Sequence, residues 1–257
     1  MSLLARHLTA PPRSRLRLPG LVLAAAAAAV TTAVATPAAA KQQDCSSTKQ
    51  YYPNNHRISA WKLNFGGWAC RTWDNSASWL WVNLGQNKGG FDAGIGKNIA
   101  SGKRVDNMAL KKGVSAKVTI KNIKGSGHYW LGPKTIISST KSYSGLKGQY
   151  ECYIVEKAKK SPNDLVKWAK LKYRGQGTYD GSVYKHYTVT YEGILQIWSI
   201  RQKYRNGGWT SVGYIQRDWR RLGLTKNWFN LGWKYNVETN GKISGEIGFS
   251  NLNLPWN

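Results

Sequence analysis

The chain has 257 residues and a formal net charge of +26, because 38 lysines and arginines outnumber 12 aspartates and glutamates. Residues 41–257 contain no run that approaches the ~18 consecutive apolar residues of a transmembrane helix, which excludes a membrane span there. The spacing of the three cysteines and four histidines fits no zinc site, so no metal is expected. No cofactor is expected either.

The first 40 residues have the pattern of a secretory signal peptide. Four arginines and no acidic residue accompany an apolar, alanine-rich stretch at residues 21–35, and three alanines at 38–40 offer a small-residue cleavage site before Lys41. We therefore expect residues 1–40 to be removed and residues 41–257 to form one secreted, extracellular domain.

The positive charge favours an anionic partner. Removing the four arginines of the leader leaves 34 basic against 12 acidic residues, a net charge of +22, and such a surplus attracts polyanions unless salt screens it. An exported chain meets acidic polysaccharide at least as often as nucleic acid. Because the lysines are spread along the chain, the charge also fits an ordinary solvated basic face.

Three cysteines, Cys45, Cys70 and Cys152, allow one disulfide in an exported chain and leave one thiol over. We expect Cys45 to pair with Cys70, since that bond would tie the N-terminal arm to the domain. Cys152 alternates with Glu151 and Tyr153 on a predicted strand, so it should lie on the opposite sheet face from both.

Short segments rich in Val, Ile, Tyr, Trp and Thr are separated by Gly, Asn, Asp and Ser, and this rhythm predicts an antiparallel β-sandwich. Asp180-Gly181 predicts a tight hairpin turn, because these residues tolerate positive φ angles. The predicted strands span residues 114–121, 135–139, 149–155, 183–190 and 194–202.

One later segment has helical rather than strand periodicity. Ser211 is a candidate N-cap and Gly223 a stop signal, so we expect a single amphipathic helix between them. Asp164 and its neighbours, by contrast, are interpreted as a turn. The apolar residues that recur at helical spacing are Val212, Ile215, Trp219 and Leu222.

Three motifs in the second half of the chain follow one another in a familiar order. They are Tyr150-Glu151-Cys152-Tyr153-Ile154-Val155-Glu156, Asp180-Gly181-Ser182-Val183-Tyr184 and Gln196-Ile197-Trp198-Ser199-Ile200-Arg201. Together they resemble the family 11 glycoside hydrolases, single-domain endo-1,4-β-xylanases whose nucleophile lies in a Glu-x-Tyr-Ile-Val-Glu strand. The resemblance covers residues 61–250 and is concentrated in 149–201.

This resemblance implies both a fold and an activity. The implied fold is all-β, a two-sheet antiparallel β-sandwich jelly roll with a concave cleft and one α-helix. The implied activity is that of a secreted retaining endo-glycosidase that hydrolyses β-1,4-linked polysaccharide, with xylan as the first candidate. We expect a monomer whose partner is xylan or another, acidic, β-linked glycan, and no binding to nucleic acid.

Retaining hydrolysis needs two carboxyl groups about 5 to 5.5 Å apart. Glu151 shares a strand face with Tyr153 and Glu156 lies on the other, so Glu151 and Glu156 cannot form the pair. The resemblance implies that Glu151 is the nucleophile and that Glu238, one residue later than the family spacing, is the acid/base. Glu246 is the competitor of Glu238, and both Glu151 and Glu238 also fit ordinary surface acids.

The resemblance further implies residues that bind substrate. Tyr153 and Gln196 match a tyrosine and a glutamine beside the nucleophile, and Tyr143 lies one residue off the family's other cleft tyrosine. Trp73 matches a stacking platform for a sugar ring. The 13 tryptophans and 14 tyrosines fit carbohydrate recognition, although for any single tryptophan a core position is the commoner alternative.

The chain departs from the family pattern in two places. Gly90 stands where the family has Asn or Asp beside the acid/base, and residues 188–197 replace a long thumb loop that presses on the substrate. A shorter lid implies a more open cleft with room for a branched or charged chain.

Two other functions fit the same residues. The first is a polysaccharide or cell-wall binding protein that keeps the cleft and has lost catalysis, as the spacing of Glu238, Gly90 and the missing thumb would allow. The second is adhesion to an anionic envelope or nucleic acid through charge alone, which predicts a steep loss of binding at high salt.

Overall fold

The structure is a computed structural model that describes the backbone of six strands between residues 42 and 96 and, with side chains, residues 104–141, 148–251 and 253. All of these belong to the unit Ala39–Asn257. The predicted signal peptide, residues 1–40, lies outside the described residues and stays a prediction.

The described residues form sixteen strands, as the frequent β-branched and aromatic segments predict. In chain order they are β1 (Gln42–Asp44), β2 (Gln50–Tyr51), β3 (Arg57–Lys62), β4 (Trp68–Trp73), β5 (Ala77–Asn83), β6 (Gly90–Gly96), β7 (Val114–Lys124), β8 (His128–Ser138), β9 (Tyr150–Val155), β10 (Lys157–Ala158), β11 (Lys172–Tyr179), β12 (Ser182–Tyr191), β13 (Ile194–Arg201), β14 (Gly207–Thr210), β15 (Phe229–Asn240) and β16 (Ser244–Asn253).

The strands form two sheets. The small sheet has the order β1-β4-β5-β16-β7-β14, and the large sheet has the order β11-β12-β13-β9-β8-β15-β6-β3-β2, with β10 paired to β8. The predicted two-sheet β-sandwich is therefore confirmed. One described pair departs from the antiparallel rule, since β9 and β13 run parallel, with Glu151 opposite Gln196.

Side-chain alternation gives the large sheet a core face and an outer face. Cys152 and Ile154 lie on the core face, in one buried cluster with Val118 and Phe249 of the small sheet. Tyr153 of β9 lies in a second cluster, built from the large sheet and its flanking segments, on the outer face. The prediction that Cys152 is turned away from Tyr153 is thus confirmed, as a strand period of two requires.

The predicted strand at 135–139 is only the end of β8, which begins seven residues earlier at His128. Gly132 and Pro133 are unusual residues inside a strand, because glycine weakens a strand and proline removes a ladder donor. Here Gly132 has a φ of 146°, and Pro133 is opposite Tyr235 of β15. The strand continues through both residues, which brings Lys134 onto the large sheet.

The hairpin predicted at Asp180-Gly181 is present. These two residues have φ angles of 50° and 69°, and they join β11 to β12 with Tyr179 opposite Ser182. The Asp180 carboxylate also accepts hydrogen bonds from the backbone N–H and hydroxyl of Ser211, at 2.8 and 2.6 Å. The turn is thereby bound to the start of the predicted helix.

That helix, α2 (Val212–Arg221), matches the prediction, with Val212, Ile215 and Trp219 fully buried. A second helix, α1 (Pro162–Trp168), was not predicted. The expectation of one helix, and of a turn at Asp164, is therefore wrong. With seven and ten residues, the two α-helices in the described part of the chain are too short to cross a bilayer.

Helix α1 was missed because its first residues are equally good turn residues. Ser161 caps the helix by accepting a hydrogen bond from the Asp164 N–H at 3.2 Å, and Pro162 occupies the first turn. Helix and turn share this start signal. Leu165 decides between them, because it is fully buried in the outer-face cluster.

A buried histidine links α2 to the large sheet. The Ser199 hydroxyl accepts a hydrogen bond from Trp219 Nε1 at 2.7 Å, and it lies 2.8 Å from His186 Nδ1. Burial, and to a lesser degree Arg221, lowers the pKa of His186 to about 4. The Asp218 carboxylate, 3.6 Å from Nε2, opposes the shift, but Arg221 already binds Asp218, so desolvation prevails.

The lowered pKa of His186 predicts acid sensitivity. The unfolded imidazole takes up a proton below pH 6.5, whereas the folded one does so only near pH 4. The free energy of unfolding should therefore fall by about 3 kcal/mol as the pH drops through this window, and His186→Gln should lack that contribution. Denaturant titrations at pH 7 and pH 4.5 compare the two proteins, and an identical pH dependence would contradict the assignment.

Candidate active site

A buried lysine joins the two predicted catalytic carboxylates. Lys134 lies on β8, between Glu151 on β9 and Glu238 on β15. Its Nζ is 2.6 Å from Glu151 Oε1 and also forms an ion pair with Glu238 Oε1. The side chains of Lys134, Glu151 and Glu238 are only 4, 9 and 5% exposed. Two acids from separate strands thus meet at one ammonium group.

This shared contact limits the separation of the two carboxylates. A hydrogen bond to nitrogen spans about 3 Å, so two oxygens bound to the same nitrogen are at most about 6 Å apart. This upper limit is compatible with the 5 to 5.5 Å typical of retaining glycosidases and lies below the separation of most inverting pairs. The geometry therefore suits attack by one carboxylate on a bond that the other protonates.

The carboxylate of Glu151 is held by Gln196, as the sequence predicts. Gln196 Nε2 donates to Glu151 Oε2 at 2.7 Å. The orientation of the amide is fixed in turn, because Trp198 Nε1 donates to Gln196 Oε1 at 3.1 Å. Strand pairing explains the contact, since Gln196 is directly opposite Glu151 in the parallel pair β9 and β13.

Among the described residues, three polar contacts hold the carboxylate of Glu238. Tyr153 Oη donates to Glu238 Oε2 at 3.3 Å, and Asn236 Nδ2 donates to Oε1 at 3.3 Å. The third is the ion pair with Lys134. Donors of this kind stabilise an ionised carboxylate. Tyr153, predicted to lie beside the nucleophile, therefore contacts the second carboxylate.

Strand register corrects the residue expected beside Glu238. Gly90, which aligns by motif with the family's Asn or Asp, is opposite Asn240 in the pair β6 and β15. The residue opposite Glu238 is Asp92. The motif gave the wrong neighbour because alignment by glycines does not fix which residues face each other across two strands, whereas register does.

The connection between β12 and β13 is a two-residue turn. Tyr191 is opposite Ile194, so only Glu192 and Gly193 form the turn, with φ angles of 49° and 77°. Such angles are typical of a tight two-residue hairpin. This hairpin therefore has no long loop that could fold over the carboxylates.

Aromatic side chains beside the carboxylates pack on one another. Trp198 lies 4.7 Å from Tyr153 and 5.4 Å from Trp130 between ring centroids, and Trp130 lies 5.6 Å from Trp168 of α1. Trp130 and Trp198 are buried, together with Leu165 of α1. They form one wall of the site, which shields the ion pairs from water on that side.

Of the remaining candidate residues, only Glu246 has a described side chain. Tyr143 lies outside the described residues, as does the side chain of Trp73, whose backbone belongs to β4 of the small sheet. Glu246 lies on β16, also in the small sheet, opposite Lys121. It is therefore not close to Glu151, and the competition between Glu246 and Glu238 is resolved in favour of Glu238 as the neighbour of Glu151.

The cysteines and histidines show no metal site in the described part of the chain, where no three His, Cys, Asp or Glu side chains cluster in a way that could hold an ion. Cys152 is a buried free thiol, and burial, with the nearby Glu151 charge, raises its pKa well above the ordinary value. The predicted Cys45–Cys70 disulfide falls on side chains outside the described residues.

Lys134 is the one member of the charged cluster that sequence reasoning missed. Lysine is almost never fully buried unless it is paired, and its partners are 17 and 104 residues away in the chain. The available signal was the alternation of β8. Trp130, Lys134 and Ile136 lie on one face of this strand, where Lys134 and Ile136 are the register partners of Tyr153 and Glu151. The predicted strand began only at residue 135, so Lys134 lay outside it.

Comparison with solved structures identifies the fold. A family 11 xylanase from Neocallimastix patriciarum has a TM-score of 0.69 at 20% identity, over 84% of this chain and 99% of that one. The ENZbleach xylanase has a TM-score of 0.62 at 17% identity, over 82% of this chain and 84% of that one. The chain therefore has the β-jelly-roll sandwich fold of these xylanase structures. No family model and no curated protein matches the sequence.

Proposed function

We propose that this protein is a secreted, retaining endo-glycosidase that hydrolyses a β-1,4-linked polysaccharide, with xylan as the first candidate. The observation that carries the proposal is the meeting of Glu151 and Glu238 at Lys134 on the outer face of the large sheet. Their oxygens are close enough for double displacement, which needs a nucleophile and an acid on either side of one glycosidic bond. The xylanase fold supports the same reaction by analogy.

Each carboxylate has a distinct role in this proposal. Glu151 attacks the anomeric carbon, while Gln196 Nε2 holds its Oε2 and Lys134 Nζ contacts its Oε1. Glu238 delivers a proton to the leaving oxygen and then takes one from the water that releases the sugar. Tyr153 and Asn236 hold Glu238 in place.

The choice of polysaccharide follows from charge and openness. The chain without its leader carries a surplus of 22 positive charges, which favours a glycan with acidic branches such as glucuronoxylan. The turn between β12 and β13 has only two residues, so this hairpin carries no long loop that would exclude such branches. We include export in the proposal, because the first 40 residues have the composition of a signal peptide.

A second function, a polysaccharide-binding protein without turnover, is favoured by one observation. The ammonium of Lys134 stabilises the ionised form of both carboxylates, whereas a retaining enzyme needs one of them protonated at the moment of bond cleavage. A binding protein would use the same face, with Lys134, Glu151 and Glu238 staying in their charged forms.

The deciding experiment combines turnover, binding and labelling on the wild-type protein. Reducing-end release from glucuronoxylan, unbranched xylan and pectin is measured between pH 4 and 9, alongside retardation in affinity gels of the same polymers. An epoxyalkyl β-xyloside then labels the nucleophile for peptide mass spectrometry. Turnover with the label on Glu151 is the expected result. Retardation without turnover at any pH would establish the binding protein, and a label on another residue would remove Glu151 as nucleophile.

A further inference from the structure

The contact between Lys134 and Glu238 bears on which group holds the proton that acid catalysis needs. An acid/base residue must carry a proton when the glycosidic bond breaks. Glu238, however, accepts bonds from an ammonium, a phenol and an amide, and this is the environment of an ionised carboxylate. Of the two groups that could give Glu238 a proton, the Tyr153 phenol and the Lys134 ammonium, the ammonium makes the closer contact.

We propose that Lys134 stores and relays the catalytic proton, so that acid catalysis in this chain uses a Lys134–Glu238 pair instead of a lone carboxylic acid. This inference rests on the proposed glycosidase function. The resting site holds two carboxylates and one ammonium. Lys134 is a positioning residue in this scheme, because it acts on the substrate through Glu238.

The first step forms an ester between Glu151 and the anomeric carbon. An oxygen of Glu151 forms a bond to the anomeric carbon while the bond from that carbon to the leaving oxygen breaks. A proton moves from Lys134 Nζ through Glu238 Oε1 to the leaving oxygen, which departs as an alcohol. Lys134 becomes a neutral amine, Glu238 remains a carboxylate and Glu151 becomes an ester.

The second step restores the site. Water attacks the anomeric carbon, its proton passes through Glu238 to the amine of Lys134, and Glu151 is released as a carboxylate. Geometry couples the two charges, because Nζ contacts both carboxylates. When Glu151 loses its charge on forming the ester, Lys134 loses one of its two anionic partners, and its proton is released more readily.

The surroundings of Lys134 suit a proton relay. From β9 it faces Glu151 and the ring of Tyr153, whose centroid is 4.7 Å from Nζ. From β15 it faces Glu238, and Lys234 is its register partner there. Lys134 is buried, so a proton that leaves Nζ passes to a neighbouring carboxylate and not directly to bulk water.

The test compares Lys134→Arg and Lys134→Met with the wild type on two substrates. Phenyl β-xylobioside releases a phenol that needs a proton, whereas 2,4-dinitrophenyl β-xylobioside releases an anion that needs none. Arginine keeps the charge and the ion pairs but does not deprotonate in proteins. It therefore separates proton transfer from positioning.

Lys134→Arg should lose at least about 100-fold in the first-turnover rate on the phenyl substrate, the lower range of general acid catalysis. Lys134→Met should lose less, because without the ammonium the two adjacent carboxylates share a proton and Glu238 can hold it. On the dinitrophenyl substrate both variants should stay within about tenfold of the wild type, which also shows that they are folded. Lys117→Met, in β7 of the small sheet, removes a similar charge elsewhere and should change neither rate.

The possible outcomes of this experiment lead to different conclusions. If Lys134→Arg turns over the phenyl substrate as fast as the wild type does, Lys134 only positions the carboxylates and the relay is wrong. If both substrates slow equally in both variants, the role is structural and the relay is again wrong. If the wild type turns over neither substrate and no xylan, the glycosidase function itself fails, and the relay with it.

Discussion

Glu151→Gln is expected to reduce the release of reducing ends from glucuronoxylan by on the order of a thousandfold or more. An amide oxygen is too weak a nucleophile to form the glycosyl ester, and the loss of a nucleophile usually removes most of the rate enhancement. The fold should survive, because glutamine has the same shape and Lys134 keeps its second partner, Glu238. Initial rates under saturating polymer, with a thermal melt of each protein, measure both effects.

The matched control for this prediction is Glu246→Gln. This variant removes the same charge from a strand, but Glu246 lies in the small sheet, opposite Lys121. Its variant should retain full activity. Equal activity of Glu151→Gln and the wild type would show that Glu151 is not the nucleophile, whatever the rest of the site does.

Glu156→Gln is expected to lower the free energy of unfolding by about 3 to 5 kcal/mol, which is typical when one partner of a buried ion pair is removed. Glu156 is fully buried. Its Oε2 accepts from Arg205 Nε at 2.5 Å, and its Oε1 accepts from Tyr184 Oη at 2.6 Å and Thr210 Oγ1 at 2.8 Å. The variant leaves the Arg205 guanidinium, and Arg201 beside it, without their carboxylate.

The pKa shifts of two neighbours agree with this network. Burial, with the charge of Glu156, raises the pKa of Tyr184 far above its ordinary value. Although burial opposes the shift, Glu156 raises the pKa of Arg205. The phenol is therefore neutral and donates to the carboxylate, while the guanidinium stays charged beside it.

Denaturant unfolding at pH 7 measures this loss, and a double variant explains it. Glu156→Gln with Arg205→Met removes both charges of the pair, and it should recover part of the stability if the unpaired guanidinium is the main cost. Glu192→Gln, at the exposed turn between β12 and β13, is the surface control and should change stability by less than about 0.5 kcal/mol. A loss below 1 kcal/mol for Glu156→Gln would contradict a structural role.

Glu151 and Glu156 show what the alternation of residues along a strand can predict from the sequence alone. Glu151 lies on β9, and Glu156 directly follows the last residue of that strand. Glu151 belongs to the charged cluster on the outer face and Glu156 to the core. The period of two along a strand, continued one residue beyond β9, assigns an odd-numbered separation to opposite faces. The sequence therefore distinguished the candidate nucleophile from the structural acid without any knowledge of their partners.

The pairing of Glu238 with Glu151 required more than pattern. Glu238 and Glu246 both lie in late, alternating segments, and sequence spacing favoured neither decisively. The chain passes from the large sheet to the small one between β15 and β16. That change of sheet separates the two acids, and only the assignment of strands to sheets reveals it.

The sequence by itself determined the β-sandwich, helix α2, the Asp180-Gly181 hairpin turn and the separation of Glu151 from Glu156, and the resemblance carried by its motifs implied the contact of Gln196 with Glu151. All of these follow from periodicity, turn chemistry and short motifs. The tertiary structure alone decided helix α1, the register of Asp92 and the buried position of Lys134. These depend on burial and on pairing between distant strands, and a lysine's burial becomes favourable only once both carboxylates surround it.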